Sequence, residues 1–217
     1  MQDYNSYPPS VAVKPSSSGK KEAILEVALR LFTTQGFHAT PTSLISKEAG
    51  ISTGTLFHYF PDKNTLFDQL YLKIKKELAI QIRSYDDPAL DAKTRIERFF
   101  HGYITWGVAN PEKAKFLEQF YHSPQVSDII KRKAFAEYAW MIEVMNEAIR
   151  TGTLRDLPID FYFVMTSQIL SGVLTLISSK STGLSDEELT ASALDMIWNH
   201  KKTKDLSGIH FSTGMHI

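Results

Sequence analysis

An all-α fold of nine helices is what the sequence predicts, on three observations. Apolar residues recur at three- and four-residue intervals almost throughout the 217 residues, the period of a helix with one buried face. No stretch alternates apolar and polar residues for long enough to make a strand, and no long repeat is present. The helix breakers Gly36, Gly50, Pro61, Pro88, Pro111, Pro124 and Gly152 fall between the periodic segments and not inside them.

The first helix is expected over 20–35, where Ile24, Ala28, Leu31 and Phe32 form one stripe and Gly36 follows as a left-handed cap. Phe37 then returns the chain to the core. Thr40 before Pro41 reads as an N-cap with a first-turn proline, opening a short helix over 41–49. Gly50 breaks it, and Ser52 is placed to cap a third helix that ends at Phe60. Pro61 and Asp62 start a longer fourth helix over 63–85, striped by Leu66, Leu70, Ile74, Leu78 and Ile82. Beyond Pro88 the composition shifts, and thirteen of the 25 aromatic residues lie between Phe99 and Phe163, so a second, ring-rich domain begins there. Its helices are expected over 91–109, 111–121, 124–150, 159–180 and 185–201. The domain reading is therefore an arm over 1–19, a small helical domain over 20–65, a larger one over 66–201 and a tail over 202–217.

Composition narrows the function. Hydrophobic residues make up 43% and charged residues 22%, an ordinary globular balance that excludes disorder as the main state. The 24 Lys and Arg cancel the 24 Asp and Glu, which excludes a uniformly basic coat, so any nucleic-acid contact must be local. There is no cysteine; disulfides, thiolate nucleophiles and cysteine zinc sites are excluded, and a cytoplasmic location is compatible. The amino terminus lacks the apolar core of a secretory signal. The stretch 161–179 is free of charge, but Thr166, Ser167, Gln168, Ser171, Gly172, Thr175, Ser178 and Ser179 make it too polar for a lone membrane anchor.

Residues 41–60 are two short helices joined by a glycine, the arithmetic of a helix-turn-helix. Leu44, Ile45, Ala49, Ile51, Leu56 and Phe60 can lock the pair together, and Thr53, Gly54, Thr55, His58 and Tyr59 are left over as a small, hydrogen-bonding face. Residues 1–63 carry six Lys and Arg against five Asp and Glu, so basicity alone does not identify the segment. A plain structural hairpin of helices has the same pattern.

The longer run GFHATPTSLISKEAGISTGTLFHYFPDKNTLFDQL resembles the DNA-binding segment of the tetracycline-repressor (TetR) family of bacterial transcription regulators. Gly36-Phe37, Thr40, Ile45, Ala49-Gly50-Ile51-Ser52, Gly54-Thr55-Leu56, Tyr59-Phe60, Lys63 and Leu66 carry the likeness, which spans 20–70. By that resemblance the helix after Ser52 is the recognition helix, with Ser52, Thr53, Gly54 and Thr55 facing bases or adjacent phosphates. Thr42, Ser43, His58, Tyr59 and Lys63 would hold the DNA backbone. Three departures stand out: Ser46 where alanine is usual, Phe57 where tyrosine is common, and Ser43 at an often basic position. The arm lysines Lys14, Lys20 and Lys21 could reach phosphates in compensation.

The larger domain is expected to enclose a flat or greasy ligand, because it is rich in large rings with polar tips. The expected lining is Tyr103, Trp106, Phe120, Tyr138, Met141, Met165 and Gln168. The charge-free helix needs burial that self-association would supply. Ser167, Ser171, Gly172 and Thr175 are small enough for close contact there, and Leu189, Ala193, Met196 and Ile197 would extend the dimer interface. No Gly-Lys-Ser/Thr follows Gly50 or Gly54, and the seven histidines form no metal-binding helix pair. The expectation is therefore a homodimeric, effector-responsive repressor of a palindromic DNA operator, with no cofactor, no metal and no catalysis. The competing classes are a helical ligand carrier or enzyme, and a protein-interaction adaptor.

Overall fold

The computed structural model describes residues 17–120 and 123–198. Residues 1–16 of the expected arm, Tyr121, the end of the last expected helix and the tail over 202–217 lie outside the described residues. Within them the chain is all-helical: α1 (Ser17–Gln35), α2 (Thr42–Glu48), α3 (Thr53–Tyr59), α4 (Lys63–Arg83), α5 (Ala92–Ala109), α6 (Pro111–Phe120), α7 (Asp128–Ala136), α8 (Ala139–Arg150), α9 (Ile159–Ser179) and α10 (Asp186–Trp198).

Ten helices stand where nine were expected, because the segment read as one helix over 124–150 is two. A turn at Glu137 and Tyr138 separates α7 from α8, and the Tyr138 N–H donates to the Phe135 carbonyl at 2.9 Å. Neither glycine nor proline marks this break. Burial of the Tyr138 side chain to 5% exposure accompanies it, so tertiary packing overrides local helix preference here.

The helices gather into two compact units. The first holds the described residues up to Lys75 together with Glu112–Ala134; the second holds Lys76–Pro111 and the described residues from Phe135 onward. The division falls inside α4, ten residues beyond the expected boundary at 65/66, and most of α6 and α7 group with the amino-terminal helices. In the first unit Ile24, Ala28, Leu31 and Phe32 of α1 and Leu66, Phe67, Leu70 and Ile74 of α4 are all essentially buried. The Phe67 ring meets those of Phe32, Phe37, Phe116 and Phe120 at centroid distances of 5.0 to 5.6 Å. A Lys73–Glu22 ion pair of 2.9 Å and an Arg30–Glu48 pair tie α1 to α4 and to α2.

The second unit has its own core. Ile96, Phe100 and Ile104 of α5 pack with Met141, Val144, Met145 and Ala148 of α8, with Tyr162, Leu170 and Val173 of α9 and with Leu189, Ala193 and Ile197 of α10. Gly107 lets α9 approach closely: a Cβ there would stand 2.5 Å from a Leu174 methyl. α9 is the one helix among the described residues long and apolar enough to cross a bilayer, yet only 17% of its apolar window is buried.

Candidate nucleic-acid interface

Local chemistry fixes the α2–α3 pair. Gly36 ends α1 at φ +82° and Gly50 makes the turn after α2 at φ +67°, both in the left-handed region where glycine is unstrained. Ile45, Leu56 and Phe60 are fully buried beneath the pair. Contrary to the sequence expectation, Thr40 does not cap α2. Its side chain is buried, its hydroxyl donates to the Gly36 carbonyl at 2.8 Å and lies 3.3 Å from that of Leu31. The N-cap position passes to Pro41, without a side-chain bond. Ser52 does cap α3: its Oγ accepts from the Thr55 N–H at 3.1 Å.

Two hydroxyl pairs then brace the motif. Ser46, only 2% exposed, donates to the Ser43 carbonyl at 3.1 Å, and its Oγ lies 3.1 Å from Thr53 Oγ1 on the next helix. Ser52 Oγ lies 2.8 Å from Thr55 Oγ1. Hydroxyls taken from sequence as base-facing thus also hold α2 to α3 and secure the start of α3. The serine that replaces the usual alanine at 46 is one half of that brace.

Ser43, Ser52, Thr53, Gly54 and His58 are exposed, and Thr42, Thr55, Tyr59 and Lys63 are half-buried. The stretch after Ile51 is therefore open on its outer side. Phe57 is exposed there too, at 42%. Sequence reasoning registered only its missing hydroxyl. The available signal was its register: at about 100° per residue, Phe57, Gly54 and His58 follow one another around the side of α3 away from Leu56. The Lys63 ammonium stands 4.3 Å over the Phe37 ring, and desolvation lowers its pKa from the ordinary lysine value. The Thr65 N–H, donating to Asp62 Oδ1 at 2.7 Å, holds that exposed carboxyl below the usual range at the start of α4.

The residues expected to line a ligand site fall in both units. Phe120 belongs to the ring cluster of the first unit. Met141 lies in the core of the second unit with Tyr103 packed against it, and Trp106 and Tyr138 are buried. Met165 and Gln168 face outward on α9, because the helix presents Tyr162, Leu170 and Val173 to the core instead. The second unit does contain a cleft of about 330 Å³ lined by Arg83, Pro88, Arg95, Trp140, Glu143, Val144 and Glu147. The Arg83 guanidinium stacks 4.5 Å over the Trp140 ring. The Asp86 carboxylate accepts two bonds from Arg95, at 2.8 and 3.0 Å, and pairs with Arg83 at 3.1 Å; the Arg95 pKa is raised by those bonds. This cluster mixes a loop with helix ends, so no periodic pattern announces it.

Of the expected dimer residues, Leu189, Ala193 and Ile197 are committed to the core within the chain. Their four-residue spacing marks a buried face without saying what buries it. Ser167 and Ser171 are half-buried, while Gly172, Thr175 and Met196 are exposed. Phe161, Val164 and Leu176 add to the outward apolar surface of α9.

The sequence profile of bacterial regulatory proteins of the tetR family matches residues 24–70. A crystal structure assigned to the tetR family of transcription regulators, from Shewanella sp. PV-4, is similar over 83% of this chain and 96% of its own, with 32% identity and a TM-score of 0.77. The transcriptional repressor KstR2 of Mycobacterium tuberculosis is 25% identical over 155 residues, covering 67% of this chain and 75% of its own. The regulator FadR of Bacillus subtilis, solved with stearoyl-CoA, shares the fold over 82% of this chain and 97% of its own, at 16% identity and a TM-score of 0.65. With a matching motif, an open outer face on α3 and the Shewanella relative 32% identical over 96% of its own length, the chain belongs to the tetR family: it is a DNA-binding transcription regulator and not an enzyme.

Proposed function

We propose that this regulator is a homodimeric repressor that binds a palindromic operator and is released by a small hydrophobic or aromatic effector. The observation that carries the reading is the open face of α3, held in place by the Ser52 cap and the Ser46–Thr53 contact. Ser52, Thr53, Gly54 and Thr55 would face the major groove, while Thr42, Ser43, His58, Tyr59 and Lys63 would hold phosphates. Two copies of α3 would then enter successive major grooves about 34 to 36 Å apart.

The outward surface of α9 supports self-association. Phe161, Val164, Met165 and Leu176 are each at least 37% exposed on a helix free of charge from Phe161 to Ser179, and a second copy of the same surface buries it with closed symmetry. The dimer residues of this reading are Ser167, Ser171, Gly172, Thr175 and Met196. The effector would bind among the aromatic helices within 66–201, where the cleft beside Trp140 offers space. α4 runs without a break from Lys63 to Arg83 and is the element through which binding would bias operator affinity, by about 1 to 3 kcal/mol as allosteric couplings go.

Selection of bound genomic fragments, followed by sequencing, tests the reading. A short inverted repeat is expected; recovery of random fragments refutes operator binding. Light scattering should give about twice the 24.6 kDa chain mass, and Leu176→Glu should give the single-chain mass with operator affinity lost. A parent protein that is monomeric refutes the two-helix geometry.

A further inference from the structure

We infer that Phe57 reads sequence by packing its ring on the C5-methyl group of a thymine, once in each half of the operator. The inference rests on the operator reading above and assigns part of its specificity to one side chain.

The two threonine hydroxyls of α3 are already engaged. Thr53 Oγ1 meets Ser46 Oγ at 3.1 Å, and Thr55 Oγ1 meets Ser52 Oγ at 2.8 Å. A base edge competing for either would disturb the brace or the cap that positions the helix. The outer arc of α3 is otherwise Phe57, Gly54 and His58. Phe57 is helical yet lies outside the buried core below, which Leu56 enters at 0% exposure against 42% for Phe57.

Gly54 leaves a notch beside the ring on the same arc: a Cβ there would meet only Ser52 Oγ, at 3.9 Å. An apolar ring with open space next to it, carried into a major groove, meets one apolar feature on the base edges. That feature is the thymine methyl, and phenylalanine is among the side chains that contact it. The guanine, cytosine and adenine edges offer only donors and acceptors that a phenyl ring cannot match.

The experiment uses the full chain and the inverted-repeat duplex recovered by fragment selection, resynthesised with each thymine in turn replaced by deoxyuridine. This removes one methyl and alters no hydrogen-bonding group. For one thymine in each half-site, the replacement should weaken parent binding about fourfold, the effect of re-exposing one buried methyl. The same replacement should change binding of Phe57→Ala by under about 1.5-fold, and Phe57→Tyr should keep the dependence because its ring remains. Urea unfolding of Phe57→Ala should keep a single cooperative transition, which shows that the variant folds.

Equal parent binding to thymine and deoxyuridine at every position overturns the inference, as does an undiminished fourfold loss in Phe57→Ala. Either result leaves operator binding itself intact, with the ring resting on sugar or solvent. Failure to recover any inverted repeat is the different result that removes operator binding and this inference together.

Discussion

Single side chains divide into those that position α3 and those that are presented by it. Ser52 is on the boundary, because its Oγ accepts the Thr55 N–H while the residue itself is exposed. Ser52→Ala should lower stability by about 1 kcal/mol in urea unfolding, the usual worth of an N-cap. Ser52→Asp keeps an acceptor for the same N–H but sets a carboxylate against DNA phosphates. It should unfold like the parent and bind the selected duplex at least about tenfold more weakly, since like charges across an interface cost more than a kilocalorie. Unchanged affinity would place Ser52 away from DNA. Ser52, Gly36 and Gly50 were legible in the sequence because caps and left-handed turns are local chemistry. Thr40 was not, because the carbonyls that capture its hydroxyl belong to Leu31 and Gly36, at the far end of α1. Ser46 passed as a tolerable replacement because its partner, Thr53, is seven residues on across a turn.

Helices were legible where one face is strongly striped. The α4 stripe of Leu66, Leu70, Ile74, Leu78 and Ile82 is buried to 2% exposure or less throughout. The same helix carries Lys75, whose amine burial pushes down to about 8 from the ordinary 10.5. Between those two values the unfolded chain holds a proton that the folded chain lacks, so stability should rise as the pH is raised from about 8 to about 10.5. Urea unfolding at pH 8 and pH 10 checks this, with Lys75→Met expected to show a shallower rise; a parent whose stability falls across the window contradicts it. The break between α7 and α8 was illegible, as no residue there forbids helix. The exposed face of α9 was half legible. Absence of charge marked it for burial, but Leu189, Ala193 and Ile197 of α10, expected beside it in an interface, fill the core of their own unit.

For the molecule entire, charge balance was legible at once and has a measurable consequence. The sequence carries equal numbers of acids and bases, and between the start of α2 and the start of α4 the Lys and Arg residues are Lys47 and Lys63. Two such contacts from each chain release about four counterions in a dimer complex, so log affinity against log salt should have a slope of about −3 to −4. Fluorescence anisotropy over a salt series measures it, and a slope near −8 would mean that further cations reach the DNA. The membership of α6 and α7 in the first unit was not legible, because ring contacts such as Phe67 with Phe116 join residues far apart in sequence. The brace between Ser46 and Thr53 has a last implication. Since the struts of the motif are Ser46 with Thr53 and Ser52 with Thr55, positions 54, 57 and 58 can be rewritten while those contacts keep the scaffold, which makes them the first letters to change in re-addressing the protein to a new stretch of genome.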